Sequence, residues 1–135
     1  ANTRAGTYGY RAPELKDNEC EDPAKADIFS CGVLLFLLKF GCFPFLENKS
    51  VEGNDLFYLL GNKPETFWNI HKRKSPGVSY TESFKELFQG LVRHDPKKRL
   101  SINEIKRSSW YLGPVYSQEE LTSLMEKILE GCVLC

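Results

Sequence analysis

Between Asp27 and about Lys39 the chain reads Ile28, Phe29, Val33, Leu34, Leu35, Phe36, Leu37 and Leu38, apolar all the way round a helical wheel. Such a helix is expected to be buried on every side and to form the central rod of the core. Gly41 is placed to close it, and Pro44 beyond could not have extended it. The next segments are amphipathic. Leu56, Leu59 and Leu60 fall at helical spacing before Gly61, and Pro64 opens a short helix with Phe67, Trp68 and His71 on one side. Three Ser-x-x-Glu patterns announce further helices: Ser83 with Glu86, Ser101 with Glu104, and Ser117 with Glu120. In each, the hydroxyl can accept from the third backbone N–H while the carboxylate reaches back to the first. Phe84, Leu87, Phe88, Leu91 and Val92 then make one apolar face, Ile102 and Ile105 a second, and Leu121, Leu124, Met125, Ile128 and Leu129 a third up to Gly131. Six or seven helices and no substantial sheet are expected.

Composition narrows the function classes. Eighteen basic residues balance eighteen acidic ones, so no net field draws the chain to nucleic acid or an anionic membrane. The basic run His71-Lys72-Arg73-Lys74 reads as a solvated loop edge. The apolar run Val33 to Leu38 is far too short to cross a bilayer. Five cysteines (Cys20, Cys31, Cys42, Cys132, Cys135) are odd in number and irregular in spacing; with no secretory leader expected, a reducing compartment, cytoplasmic or nuclear, is the expectation.

Residues 1 to 25 have no sustained period, and Ala12-Pro13 disfavours helix at Ala12, so this stretch reads as an irregular loop. It contains Gly6-Thr7-Tyr8-Gly9-Tyr10-Arg11-Ala12-Pro13-Glu14, which resembles the end of the activation segment of eukaryotic protein kinases. Two later motifs, in the family's order, strengthen the likeness. Asp27-Ile28-Phe29-Ser30-Cys31-Gly32 and the exit Gly41-Cys42-Phe43-Pro44-Phe45 resemble the family's central buried helix. Asp95-Pro96-Lys97-Lys98-Arg99, a capped helix and Trp110 resemble its closing elements. The resemblance spans residues 1 to about 112, with 113–135 an extension carrying one amphipathic helix. It implies a mainly α, kinase-like C-lobe fragment, helices around a buried central helix at about 27–39, with no substantial sheet.

Roles carry over residue by residue. Glu14 would pair with Arg99 as a buried bidentate contact tying the segment's end to the base of the lobe. Asp27 would accept backbone N–H bonds from the catalytic loop; read from the residue alone it is a helix N-cap. Gly6, Thr7, Tyr8, Gly9 and Tyr10 would form the platform under the residue after the phosphoacceptor, with Thr7 hydrogen-bonded to the catalytic loop. Thr3 stands where the family often carries an activating phosphothreonine, and read alone is an exposed threonine near a terminus. Arg4, Tyr8 and Arg11 suggest a preference for an acidic or polar residue beside the phosphoacceptor, if the arginines do not simply face solvent. The stretch from Lys25 to Phe45 is most similar to the calcium/calmodulin-dependent and AMP-activated-like branch of Ser/Thr kinases.

The same resemblance implies parts that these residues do not include: a Gly-rich loop, a strand lysine, a catalytic-loop Asp and Asn, and a metal-binding Asp-Phe-Gly. ATP and Mg2+ would therefore serve the full kinase and not be bound by this portion, which alone is expected to be inactive. No metal site and no catalytic residue is expected within it. Its partners would be protein substrates with Ser/Thr acceptors and an upstream activating kinase. The competing reading is a catalytically dead scaffold or docking module. The tail helix is expected to pack on the lobe, with a regulatory role as the alternative. The final Cys132-Val133-Leu134-Cys135 admits a prenylation box, a zinc half-site or an ordinary reduced tail.

Overall fold

The computed structural model describes residues 11–17, 21–45 and 55–133. Among them lie a 3-10 turn at Pro13–Asp17 and six α-helices: α1 (Pro23–Phe40), α2 (Asp55–Asn62), α3 (Pro64–Lys74), α4 (Glu82–Leu91), α5 (Ile102–Lys106) and α6 (Gln118–Val133). The described residues contain no strand, and the architecture is mainly α, as the sequence resemblance implies.

α1 begins four residues earlier than its apolar run. The Asp22 carboxylate accepts from the Ala24 and Lys25 N–H groups at 3.1 and 3.3 Å, and Pro23 takes the first helical position, where its missing N–H has no partner to lose. Asp27 is therefore not the cap; it lies within the helix, exposed. The far end closes as the sequence predicts. Gly41 adopts φ 74° and donates its N–H to the Leu37 carbonyl at 2.8 Å, a left-handed close that glycine makes without strain.

Ile28, Phe29, Val33, Phe36 and Phe40 are buried, but the opposite side of α1 is open: Leu34 is 46% and Leu38 77% exposed, in line with exposed Asp27 and Cys31. The expectation of all-round burial fails there. On the covered side Val33 and Phe36 are fully buried, and Leu35 is half-buried. A helix apolar on all sides has no preferred face in its own pattern, so only its neighbours decide which side is covered.

The buried face meets α4. A Cβ on Gly32 would lie 2.7 Å from Val92 Cγ1 and 2.8 Å from Leu91 Cβ, so the two helices approach more closely than any larger residue permits. Beside this contact Phe36 gathers rings: Phe40 stacks at 4.2 Å, Phe88 lies at 4.9 Å, and the His71 ring meets it edge-on at 4.7 Å. Aromatic pairs at such separations add to plain area burial.

Three caps refine the sequence reading. Ser101 and Glu104 form the expected reciprocal capping box, and Ser117 with Glu120 does the same for α6. Ser83 does not cap α4. Thr81 does, its hydroxyl accepting from the Phe84 N–H at 3.2 Å, while Ser83 sits inside the helix. α3 ends at Lys74, so the run 71–74 is a helix end and not a loop edge, with His71 buried and the three cations exposed. α6 runs past Gly131, and Leu121, Met125, Ile128 and Leu129 are 42–59% exposed, so its apolar stripe does not pack as a cap on the body. Among the described residues no helix is long and apolar enough to cross a membrane.

Candidate functional site: the anchor of the Ala-Pro-Glu turn

Pro13 fixes the backbone just before Glu14, and the 3-10 turn it opens is braced by the Ala12 carbonyl accepting from the Leu15 N–H at 3.1 Å. Ala12 is buried, which seats the turn on the core. Arg11 reaches over it to donate to the Leu15 carbonyl at 3.3 Å. The turn thus presents the Glu14 carboxylate inward.

There it meets Arg99. Nη1 donates to Oε1 at 2.7 Å and Nη2 to Oε2 at 3.1 Å, a bidentate contact across 85 positions of chain, with the arginine side chain fully buried and that of Glu14 15% exposed. A planar guanidinium matches a carboxylate fork in a way that a lysine ammonium cannot. The remaining donors are spoken for. Nε and Nη2 both donate to the Arg93 carbonyl, at 2.9 and 2.8 Å, Nη2 also to that of His94 at 3.2 Å, and Nη1 to that of Lys25 at 2.6 Å. The Phe29 ring lies 5.1 Å from the guanidinium carbon, placing the cation on an aromatic floor. A buried cation is tolerable only when every N–H has an acceptor, and here they do.

Lys25 completes the knot. Its ammonium donates to the Arg99 backbone carbonyl at 2.6 Å while its own carbonyl accepts from Arg99, so the start of α1 and the strap before α5 hold each other reciprocally. Nothing in the sequence singled out Lys25, nor the carbonyls of Arg93 and His94. A backbone acceptor carries no residue-type signature, and only tertiary proximity reveals it. Phe29 is apolar in the sequence pattern of α1, which gives no sign of its seat beneath a guanidinium.

Asp27 is exposed, and among the described residues nothing pairs with it. Thr3, Arg4, Gly6, Thr7, Tyr8, Gly9 and Tyr10 lie outside the described residues, as do Cys20, Leu134 and Cys135 and the side chains of Cys132 and Val133. The structure therefore brings together Glu14 and Arg99, adds Lys25 and Phe29 to them, and leaves Asp27 on the open side of α1. Chemically this arrangement holds a loop end in place; it contains no nucleophile, base or phosphate cradle.

The chain belongs to the protein kinase domain family, whose model matches residues 1–111. Similar curated proteins include CBL-interacting protein kinase 26 of Oryza sativa subsp. japonica, 39% identical over 110 residues. That match covers 82% of this chain and 20% of the rice protein. CBL-interacting serine/threonine-protein kinase 16 of Arabidopsis thaliana is 36% identical over 112 residues, covering 82% of this chain and 21% of its own length. CBL-interacting serine/threonine-protein kinase 15 of the same plant is 33% identical over 126 residues, 93% of this chain and 27% of that protein. The chain thus spans about a fifth to a quarter of the length of these relatives.

Proposed function

We propose that this chain is the C-lobe portion of a Ser/Thr protein kinase, in which Gly6 to Tyr10 form the shelf beneath the residue after the phosphoacceptor. The observation that carries the reading is the buried Glu14–Arg99 pair. A loop whose last carboxylate is gripped by a fully satisfied guanidinium is a loop held for a purpose, and the stretch it holds lies just before Ala12. The family match and the kinase names of the relatives support the same direction.

In the parent protein, ATP and Mg2+ supply the transferable phosphoryl group and its charge neutralisation. No residue of this chain is assigned to hold either. Thr7 positions the catalytic loop, Thr3 is the acceptor for an upstream activating kinase, and Asp27 receives backbone N–H groups of the catalytic loop on the open side of α1. The kinase share of the chain is 1–112, with 113–135 an extension, and the parent acts in the cytoplasm or nucleus. Its similarity to the calcium/calmodulin-dependent and AMP-activated-like branch is the finer assignment and rests on Lys25 to Phe45.

The parent protein, incubated with ATP, Mg2+ and a basic protein rich in serine and threonine, is expected to transfer phosphate to those hydroxyls. Thr7→Ala is expected to lower kcat by about a hundredfold, the scale of a misplaced catalytic group. A parent that binds its partners but transfers no phosphate after upstream phosphorylation is the scaffold and not the enzyme.

A further inference from the structure

His71 is fully buried, and the proposed activity makes no use of it. Its Nε2 lies 2.9 Å from the Pro44 carbonyl, 27 positions away. A carbonyl can only accept, so Nε2 carries the hydrogen and Nδ1 is left as a bare acceptor. Nδ1 is buried and, among the described residues, has no hydrogen-bond partner. Around the ring stand Phe67 at 4.7 Å, Phe36 at 4.7 Å and Phe40 at 5.9 Å.

A second proton would convert Nδ1 into a donor in a wall of aromatic carbon. Among the described residues no acceptor meets it, and a buried unpaired charge is strongly disfavoured. Among the described residues the surrounding charges offer no relief. On α3 itself Lys72, Arg73 and Lys74 are exposed cations, and the charge of Lys74 opposes a further positive charge. α1 contributes Phe36 and Phe40 to the ring and carries exposed Lys39 next to the latter. The loop after α1 contributes the Pro44 carbonyl and half-buried Cys42. On α4, Glu86 is exposed, and Glu82 pairs with Lys85 at 3.2 Å.

We propose that His71 is an acid-operated latch between α3 and the loop that leaves α1: neutral, it ties Pro44 to the end of α3; protonated, it must quit the core and release that loop. The direction of its titration agrees. Burial holds the imidazole below its ordinary value of 6.5, the Pro44 hydrogen bond opposes this in part, and Lys74 adds to it. A group with a lowered folded-state value leaves the unfolded state binding more protons. Its stabilisation is therefore complete above about pH 6.5 and is lost as pH falls from there through the folded-state value. This inference is independent of whether the parent transfers phosphate.

The test is urea unfolding of the full chain from pH 7.5 to 5.0, read by tryptophan fluorescence, for wild type, His71→Gln and His94→Gln. Glutamine can place a neutral N–H near Pro44 and does not titrate. Below pH 6.5 the unfolded-to-folded ratio of wild type is expected to rise by up to about tenfold per pH unit more steeply than that of His71→Gln. His94→Gln, altered at an exposed imidazole, is expected to follow wild type. Parallel pH profiles for wild type and His71→Gln overturn the latch. Should His71→Gln fail to fold, the His71 ring resonances of the wild-type chain decide: they are expected to stay neutral below pH 6.5 until tertiary signals collapse. A smooth titration near 6.5 with the fold intact overturns the proposal.

Discussion

Gly32 of α1 and Val92 at the end of α4 are in direct apposition, so close that a Cβ on Gly32 would sit 2.7 Å from Val92 Cγ1. Two helices are in register because one position has no side chain. Leu91 Cβ, 2.8 Å away, is backbone-proximal and cannot swing aside as the end of a long side chain could. Gly32→Ala is therefore expected to destabilise the chain by about 1–3 kcal/mol, the usual effect of overpacking, despite alanine's higher helix propensity. Urea denaturation of the variant checks it; a gain in stability contradicts the close approach.

The two faces of α1 should respond oppositely to truncation. Phe36 is fully buried among Phe40, Phe88 and His71, and Phe36→Ala is expected to cost about 3–5 kcal/mol. Leu38 is 77% exposed, so Leu38→Ala should change stability by no more than about 0.5 kcal/mol. Leu34→Ser with Leu38→Ser should also reduce self-association of the chain in sedimentation, because it removes an apolar stripe from water.

At the start of α4 the cap is Thr81, which accepts from Phe84 N–H, and Ser83 stands one residue inside the helix start. Thr81→Ala is expected to cost about 1 kcal/mol, and Ser83→Ala distinctly less, by thermal or urea unfolding. The reverse order would restore Ser83 as the cap.

Much of this architecture was legible in the chain and some of it could not be. Gly41, Pro64, Ser101 with Glu104 and the stripe Phe84 to Val92 act through local chemistry, namely a left-handed close, a pre-set φ, a reciprocal cap and a helical period, and each is found where the pattern put it. Glu14 and Arg99 came from the order of motifs, not from periodicity. What sequence could not decide was tertiary. Thr81 and Ser83 are both good caps two positions apart, and the angle at which the chain arrives selects one. α1 is apolar all round, so its open side depends on which helices arrive. The α6 stripe predicts an amphipathic helix but not a surface to cover it. His71 could be placed on the buried side of α3 by spacing, yet its tie to Pro44 depends on a loop 27 positions away.

The tie between the Ala-Pro-Glu turn and the base of the lobe is tested most directly by a double-mutant cycle on Glu14 and Arg99, measured by urea unfolding of the chain. Arg99→Ala alone should cost about 3–5 kcal/mol, because it leaves the Glu14 carboxylate and the carbonyls of Lys25, Arg93 and His94 without their donor. With Glu14→Ala already present, the same change should cost less by about 2–3 kcal/mol, the coupling of a buried bidentate pair. Additive effects, with a coupling inside about 0.5 kcal/mol, would show that the two side chains do not hold the turn, and the proposed shelf at Gly6 to Tyr10 would lose its anchor.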